Sequence, residues 1–312
     1  MRQNIQTSIS TVHSSGVTAE KVCAVVVTYF PDTGLAERLK ILLPQVATLI
    51  VVDNTPTLEN ARQILSQMEG DSRIYLVENK RNSGIAAALN QGLEHAFSIG
   101  SKWLLTLDQD SRCYPDMVET LLQALVACNP KTAVIGGNYY DSRSHQTKIS
   151  PAENSGYLEQ KTVITSGCLI DVCVARELGG FREDFFIDQV DHEFCLRART
   201  RGYRVAISRK PVMDHSVGRE EGVRLPLLGV LPNHPPLRKY YIARNTLVIV
   251  AKYWQREPGW CMRRSVRLLL GLLLMATLEK QRLVKIHAFA AGIIDGVRHR
   301  MGPCEREWLY HS

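Results

Sequence analysis

Val22-Cys23-Ala24-Val25-Val26-Val27-Thr28-Tyr29 is an unbroken apolar run rich in valine, and its reading decides the fold. A strand with one wet face alternates apolar and polar residues. A run without alternation is the pattern of a strand buried on both faces of a parallel sheet. Working outward, Pro31 and Gly34 mark a turn, and Leu35 to Leu43 carries a helical pattern. Ala47 to Val52 reads as the second strand, ending at Asp53-Asn54. Glu59 to Met68 reads as a helix, Ile74 to Val77 as a short strand, and Ile85 to Phe97 as a helix with apolar residues near the 3.6 period. Trp103 to Leu107 is the next strand. Strand and helix alternate, which predicts an α/β fold with a mostly parallel central sheet. Such sheets bind ligands at the carboxyl ends of their strands, and Thr28, Asp53 and Asp108 all fall at such ends.

The second half reads differently. Val134-Ile135-Gly136-Gly137 is a strand and turn, and Thr162 to Ile170 a strand containing Ser166-Gly167-Cys168. Val190-Asp191-His192-Glu193 opens a helix that runs through Arg199. Val205 to Ser208 is a short strand, followed by Asp214-His215-Ser216-Val217-Gly218 and a Pro/Gly-rich loop up to Pro236. From Leu237 onward the chain looks helical. The expected division is a polar, disordered tail over 1–20, a catalytic domain over 21–250 and a basic, apolar helical region over 251–312.

The chain has 312 residues, 45% hydrophobic and 22% charged, ordinary values for a globular protein with a sizeable core. Its net charge of +7 and pI of about 9.0 point to an anionic partner: nucleic acid, an acidic membrane surface or a phosphorylated substrate. No nucleic-acid-binding motif appears, so nucleic acid is not expected. Eight cysteines without metal-type C-x-x-C spacing read as reduced thiols, which favours the cytosol. The apolar run Leu268 to Leu278 is shorter than the ~20 residues a membrane span requires.

Leu104-Leu105-Thr106-Leu107-Asp108-Gln109-Asp110-Ser111 carries the chemistry. An apolar strand ends in two carboxylates with one residue between, which on a strand would point the same way. Acids so placed repel unless a cation lies between them, and hard oxygen ligands suit Mg²⁺ or Mn²⁺. Taken alone, the same pair also fits a solvated turn.

In order along the chain, Val27-Thr28-Tyr29, Val51-Val52-Asp53-Asn54, Asn82-Ser83-Gly84 with Asn90-Gln91-Gly92, Asp108-Gln109-Asp110, Ser166-Gly167-Cys168, Gly179-Gly180-Phe181, Asp191-His192-Glu193 and His215 resemble family 2 glycosyltransferases of the GT-A fold. The likeness spans Val22 to Val250. Within that family, Phe186 to Glu193, Leu107 to Ser111 and Pro236 to Asn245 look most like bacterial rhamnosyltransferases that use dTDP-L-rhamnose, including those that build rhamnolipids, O-antigen or other surface polysaccharides.

The resemblance implies an inverting, metal-dependent transferase. Its donor would be dTDP-β-L-rhamnose and its acceptor a hydroxyl of a lipid, lipid-linked saccharide or surface glycan. It would work in the cytoplasm, at the cytosolic face of the inner membrane. Asp53 would accept a hydrogen bond from the imide N–H of thymine or uracil, with Thr28, Tyr29 and Asn54 beside it; a turn aspartate is the plainer reading. Arg81, Asn82 and Gly84 would face the nucleotide at a helix N-terminus, although Asn82 also fits an ordinary cap. Asp110 would be the direct metal ligand, Asp108 would address the ribose or the metal, and His215 would complete the set. Asp191 would be the general base, with Glu193 in support; an acid at this helix start also suits the dipole. Asp188 would bind the acceptor. Arg244 would reach the diphosphate as a bidentate donor. Arg263, Arg264, Arg267, Lys280, Arg282 and Lys285 flank the apolar C-terminal run, which fits either a helix packed on the core or one lying on an anionic leaflet. The rivals are a UDP-hexose donor on the same fold, a sugar-phosphate nucleotidyltransferase, and a non-catalytic nucleotide-sugar-binding or scaffold protein. The nucleotidyltransferase is disfavoured because no Gly-rich phosphate loop follows the first strand.

Overall fold

A computed structural model describes residues 21–57, 60–68, 71–142, 145–152, 156–215, 223–225, 229–231 and 233–310. The expected tail over 1–20, and Gly218 in the loop after His215, lie outside them. The chain runs β1 (Val22–Thr28), α1 (Leu35–Leu42), β2 (Thr48–Asp53), α2 (Asn60–Leu65), β3 (Ile74–Glu78), α3 (Ile85–Ser98), β4 (Trp103–Asp108), β5 (Arg112–Cys113), α4 (Met117–Ala127), β6 (Thr132–Asp141), β7 (Gln146–Thr147), β8 (Tyr157–Glu159), β9 (Cys168–Asp171), α5 (Val172–Glu177), α6 (Val190–Thr200), β10 (Arg204–Asp214), β11 (Val223–Leu225), β12 (Gly229–Leu231), α7 (Pro236–Tyr253), α8 (Pro258–Leu278) and α9 (Arg282–Val297).

The main sheet has the order β3-β2-β1-β4-β9-β6-β10-β5, with β7 beside β6 and β8 beside β10. The first four strands are parallel. β9 runs against both β4 and β6, while β6 and β10 are again parallel. The unbroken β1 run is explained by two cores. Cys23 and Val25 join α3 on one face, and Val22, Ala24 and Val26 join α1 and α4 on the other. α3 lies so close to β1 that a Cβ at Gly92 would meet Val25 Cγ2 at 2.5 Å. The eight cysteines are free thiols, and Cys173 is the exposed one.

Three sequence expectations need correction. The strand expected over Thr162 to Ile170 begins only at Cys168, because Gly167 takes φ +75°. The short strand at Val205–Ser208 is the start of β10, which passes Pro211 through register shifts and carries the chain on to Asp214. The expected boundary at 250 falls inside α7, which packs closely on α9.

The C-terminal run packs on the core only in part. α7 buries Tyr240, Tyr241, Arg244 and Asn245, and α9 buries Ala288, Ala291 and Gly292. α8 buries only Trp260, Cys261 and Met275, and leaves most of its leucines in solvent. Among the described residues no helix is long and apolar enough to cross a membrane.

Candidate active site

The parallel register brings the strand ends together. Thr28 lies opposite Asp53, and Val27 opposite Asp108. Thr28 is fully buried and donates its hydroxyl to Asp53 Oδ1 at 2.8 Å; the Thr55 hydroxyl and backbone N–H reach the same oxygen at 2.7 and 3.2 Å. Thr55 in turn accepts the Phe30 N–H at 2.8 Å. The rings of Tyr29 and Phe30 meet edge to face at 4.7 Å and remain about half exposed. Asn54 is buried and donates to the Gly84 carbonyl at 3.1 Å, tying β2 to the start of α3.

Asp108 ends β4, so Asp110 lies beyond the strand, in a turn closed by Ser111 N–H donating to the Asp108 carbonyl at 3.2 Å. The two acids therefore converge through a turn rather than along a strand. Gln109 holds this turn. Its amide oxygen accepts Tyr29 N–H at 2.7 Å, its amide nitrogen donates to the Tyr29 carbonyl at 3.1 Å, and the Gln109 backbone carbonyl accepts Arg38 Nε at 2.7 Å. Neither Gln109 nor Arg38 was singled out from sequence, where an amide between two acids gives no signal of a contact 80 residues away.

The ligand atoms of Asp108, Asp110 and His215 lie within 4.8 Å of one another. His215 enters from the end of β10, where its N–H donates to the Tyr140 carbonyl at 3.0 Å. Its Nδ1 lies 2.9 Å from Ser111 Oγ, which is 2.6 Å from Ser166 Oγ, and Ser166 accepts the Asp108 N–H at 3.2 Å. Burial pushes the Asp108 carboxyl up to about 6; His215 opposes that shift, and Asp110 and Asp191 add to it. Two carboxylates and an imidazole with its second nitrogen hydrogen-bonded form a donor set suited to a divalent cation.

Asp191 sits in the first turn of α6, one-fifth exposed, its Oδ1 accepting His192 N–H at 2.7 Å. Glu193 is fully buried and turned away; it takes hydrogen bonds from Arg197, Lys252 and Tyr253. The chain reaches α6 through Phe186, Asp188 and Gln189, all at φ between 63° and 66°, a costly conformation outside glycine. What holds it is Asn245, whose amide donates to the carbonyls of Phe185, Ile187 and Asp188 at 2.9–3.0 Å.

Arg244 belongs to the same clamp, and here the sequence expectation is corrected. It is fully buried in mid-α7 and donates to the carbonyls of Asp184, Phe185 and Gly302. Reaching a diphosphate would strand those carbonyls. Arg238, in the first turn of α7, does come near the site: it pairs with both Asp188 oxygens at 2.8 and 3.2 Å and adds its field to Asp108. Asp188 is thus engaged by Arg238.

The start of α3 is also less open than expected. Ile85 N–H donates to the Phe186 carbonyl at 2.8 Å, and Asn82 accepts Gly84 N–H at 3.0 Å. A Cβ at Gly84, where φ is +83°, would meet that carbonyl at 2.6 Å. The residue closes the strained segment against α3. Arg81 is exposed.

The sheet, with a parallel half that ends in a buried aspartate and an acid-rich turn facing a histidine, has the GT-A architecture. Residues 23–186, just over half the chain, match the family described as glycosyl transferase family 2. The chain belongs to that family and is a glycosyltransferase. It is 28% identical over 293 residues to the dTDP-rhamnosyl transferase RfbF of Shigella flexneri, covering 89% of this chain and 95% of that protein. Among solved structures it resembles S. aureus TarS 1-349, at a TM-score of 0.62 and 13% identity, covering 90% of this chain and 82% of that one. It also resembles GalNAc-T7 with UDP, GalNAc and Mn²⁺, at a TM-score of 0.57 and 12% identity, covering 90% and 55%.

Proposed function

We propose that the protein transfers L-rhamnose from dTDP-β-L-rhamnose to an acceptor hydroxyl with inversion, giving an α-L-rhamnoside. The observation that carries the donor reading is Asp53. Its Oδ1 is saturated by Thr28 and Thr55, while its other oxygen carries none of the hydrogen bonds found among the described residues. That oxygen would accept the imide N–H of a thymine or uracil, with Tyr29 and Phe30 beside the base. The relative named a dTDP-rhamnosyl transferase supports thymidine and rhamnose.

Asp108, Asp110 and His215 would hold Mg²⁺ or Mn²⁺, which supplies Lewis-acid stabilisation of charge on the departing diphosphate. Asp191 takes the acceptor hydroxyl proton as that oxygen bonds to C1; the C1–O bond to the diphosphate breaks and its electron pair leaves with dTDP. The His192 N–H, donating to Asp191 Oδ1 at 2.7 Å, holds the carboxylate in place in the first turn of α6. Arg238 fixes Asp188 at the entrance to α6, where Asp188 would orient the acceptor. Exposed apolar and basic residues on α8 support peripheral docking at the cytosolic face of a membrane.

Calorimetric titration with dTDP-rhamnose, UDP-glucose and UDP-N-acetylglucosamine, in Mg²⁺ and in EDTA, tests the donor. Metal-dependent preference for dTDP-rhamnose is expected. Preference for a UDP-sugar sinks the rhamnose assignment and leaves the fold and chemistry standing.

A further inference from the structure

The ladder between β1 and β4 ends with Val27 opposite Asp108. Beyond that pair a side chain continues it. The Gln109 amide oxygen accepts the Tyr29 N–H at 2.7 Å, and the amide nitrogen donates to the Tyr29 carbonyl at 3.1 Å. One side-chain amide thus answers both backbone groups of one residue, as a neighbouring strand would. A planar group with an acceptor and a donor side by side is found only on Asn and Gln. This contact is therefore specific to the residue that stands between the two acids.

Tyr29 ties the contact to the residue assigned above to the base. Thr28, just before it, donates to Asp53 Oδ1 at 2.8 Å. Phe30, just after it, donates its N–H to Thr55 at 2.8 Å, and Thr55 donates to the same Asp53 oxygen at 2.7 Å. The Tyr29 backbone is thus held from both sides by the network around Asp53. Phe30 takes φ 46°, a conformation that persists outside glycine only where neighbours impose it. On the other side, Arg38 anchors the acid-bearing turn. Its Nε donates to the Gln109 carbonyl at 2.7 Å, and its Nη2 pairs with Asp32 at 2.9 Å.

Hydrogen bonds at so open a position add little to stability, because water would serve the amide nearly as well. What the double contact fixes is relative position. A shift of Tyr29 carries Gln109 with it, and with Gln109 the carboxylates on either side. Two sites that share one such element are coupled, and the coupling is reciprocal. We propose that Gln109 is a positioning residue through which nucleobase and divalent cation bind cooperatively. This rests on the donor and metal readings above and adds to them that filling the base pocket tightens the cluster of Asp108, Asp110 and His215.

The test follows Mn²⁺ binding to the full-length protein, through loss of the free-ion paramagnetic resonance signal, with and without saturating thymidine. Thymidine has the base but no phosphate, so it brings the cation no diphosphate oxygen. Thymidine titrated in EDTA and Mn²⁺ titrated alone come first and report on the base and metal readings separately; failure of either ligand to bind overturns that reading and the coupling with it. In the wild type, thymidine should lower the Mn²⁺ Kd at least about fivefold. Gln109→Met, which keeps the length without the amide, should bring that ratio to within about 1.5-fold of unity. A merely structural role would leave the ratio alone, because a loosened turn weakens Mn²⁺ equally with and without thymidine. A wild-type ratio near unity overturns the proposal. A ratio retained in Gln109→Met routes the coupling through Asp108 and the ribose and overturns the part given to Gln109. Gln109→Glu keeps the acceptor but sets an oxygen against the Tyr29 carbonyl, so it should lose the ratio as well and keeps the test decisive if Gln109→Met folds poorly.

Discussion

The sheet edge formed by the ends of β1, β2 and β4 and the cavity beneath α8, lined by Lys148, His192, Trp260, Arg264 and Arg267, are built on opposite plans. At the edge, protein groups satisfy one another: Thr28 and Thr55 hold Asp53, Gln109 holds Tyr29, and Ser111 holds His215. In the cavity, Lys148, Arg264 and Arg267 form no ion pair among the described residues, and Arg264 feels Asp191 only from a greater distance. A closed network fixes geometry before the ligand arrives, which suits a site where charge develops during reaction. An open cluster of like charge stores unpaired interactions for a ligand to complete. Asp191 lies between the two regions, so its variants divide them.

Asp191→Asn should reduce kcat by about 10²–10⁴ while leaving the donor Kd within about twofold. Single-turnover assay beside calorimetry separates the two, and lost donor binding would move Asp191 to the nucleotide side. Arg244→Ala should destabilise the fold by more than about 2 kcal/mol, since several carbonyls lose their donor at once. Denaturant titration reads this; weakened donor affinity at unchanged stability would return Arg244 to the diphosphate. Asp110→Asn should weaken Mg²⁺-dependent dTDP binding by at least about tenfold and leave any binding in EDTA unaltered. Equal titration curves for variant and wild type in Mg²⁺ would remove Asp110 from the ligand set.

The smallest effect concerns Asp108, whose carboxyl is raised to about 6 from 3.8. As pH rises, the unfolded chain gives up this proton first, so the native state loses stability through pH 4 to 6 and the deficit persists above. In EDTA at pH 7.5, Asp108→Asn should therefore melt a few degrees above wild type, with the gap closing toward pH 4. A variant that melts lower at neutral pH would show that the carboxylate is stabilised by its surroundings.

Most of that sheet edge could be read in sequence because it is made of strand ends. An unbroken apolar run followed by Thr28, Asp53 or Asp108 states both the strand and where its end lies. The cavity could not be read that way. Lys148 and Arg264 are 116 positions apart, and only the turn of β6 through β7 and the return of α8 bring them together. Arg244 misled for a related reason: a basic residue in a basic, aromatic helix gives no sign of whether it faces a ligand or a strained carbonyl. Phe186, Asp188 and Gln189 carry no signal of left-handed backbone, because that conformation is imposed by Asn245 and α3 from outside the segment.

The row from His215 through Ser111 and Ser166 to the Asp108 amide has a direction. Were His215 to hold an ion through Nε2, its ring proton would sit on Nδ1 and donate to Ser111, and Ser111 would give its hydrogen to Ser166. Every dipole in the row is then aligned by which ring nitrogen is protonated. An ion held there would thus be written into two hydroxyl rotors and felt at the backbone of β4, without any heavy atom having to travel.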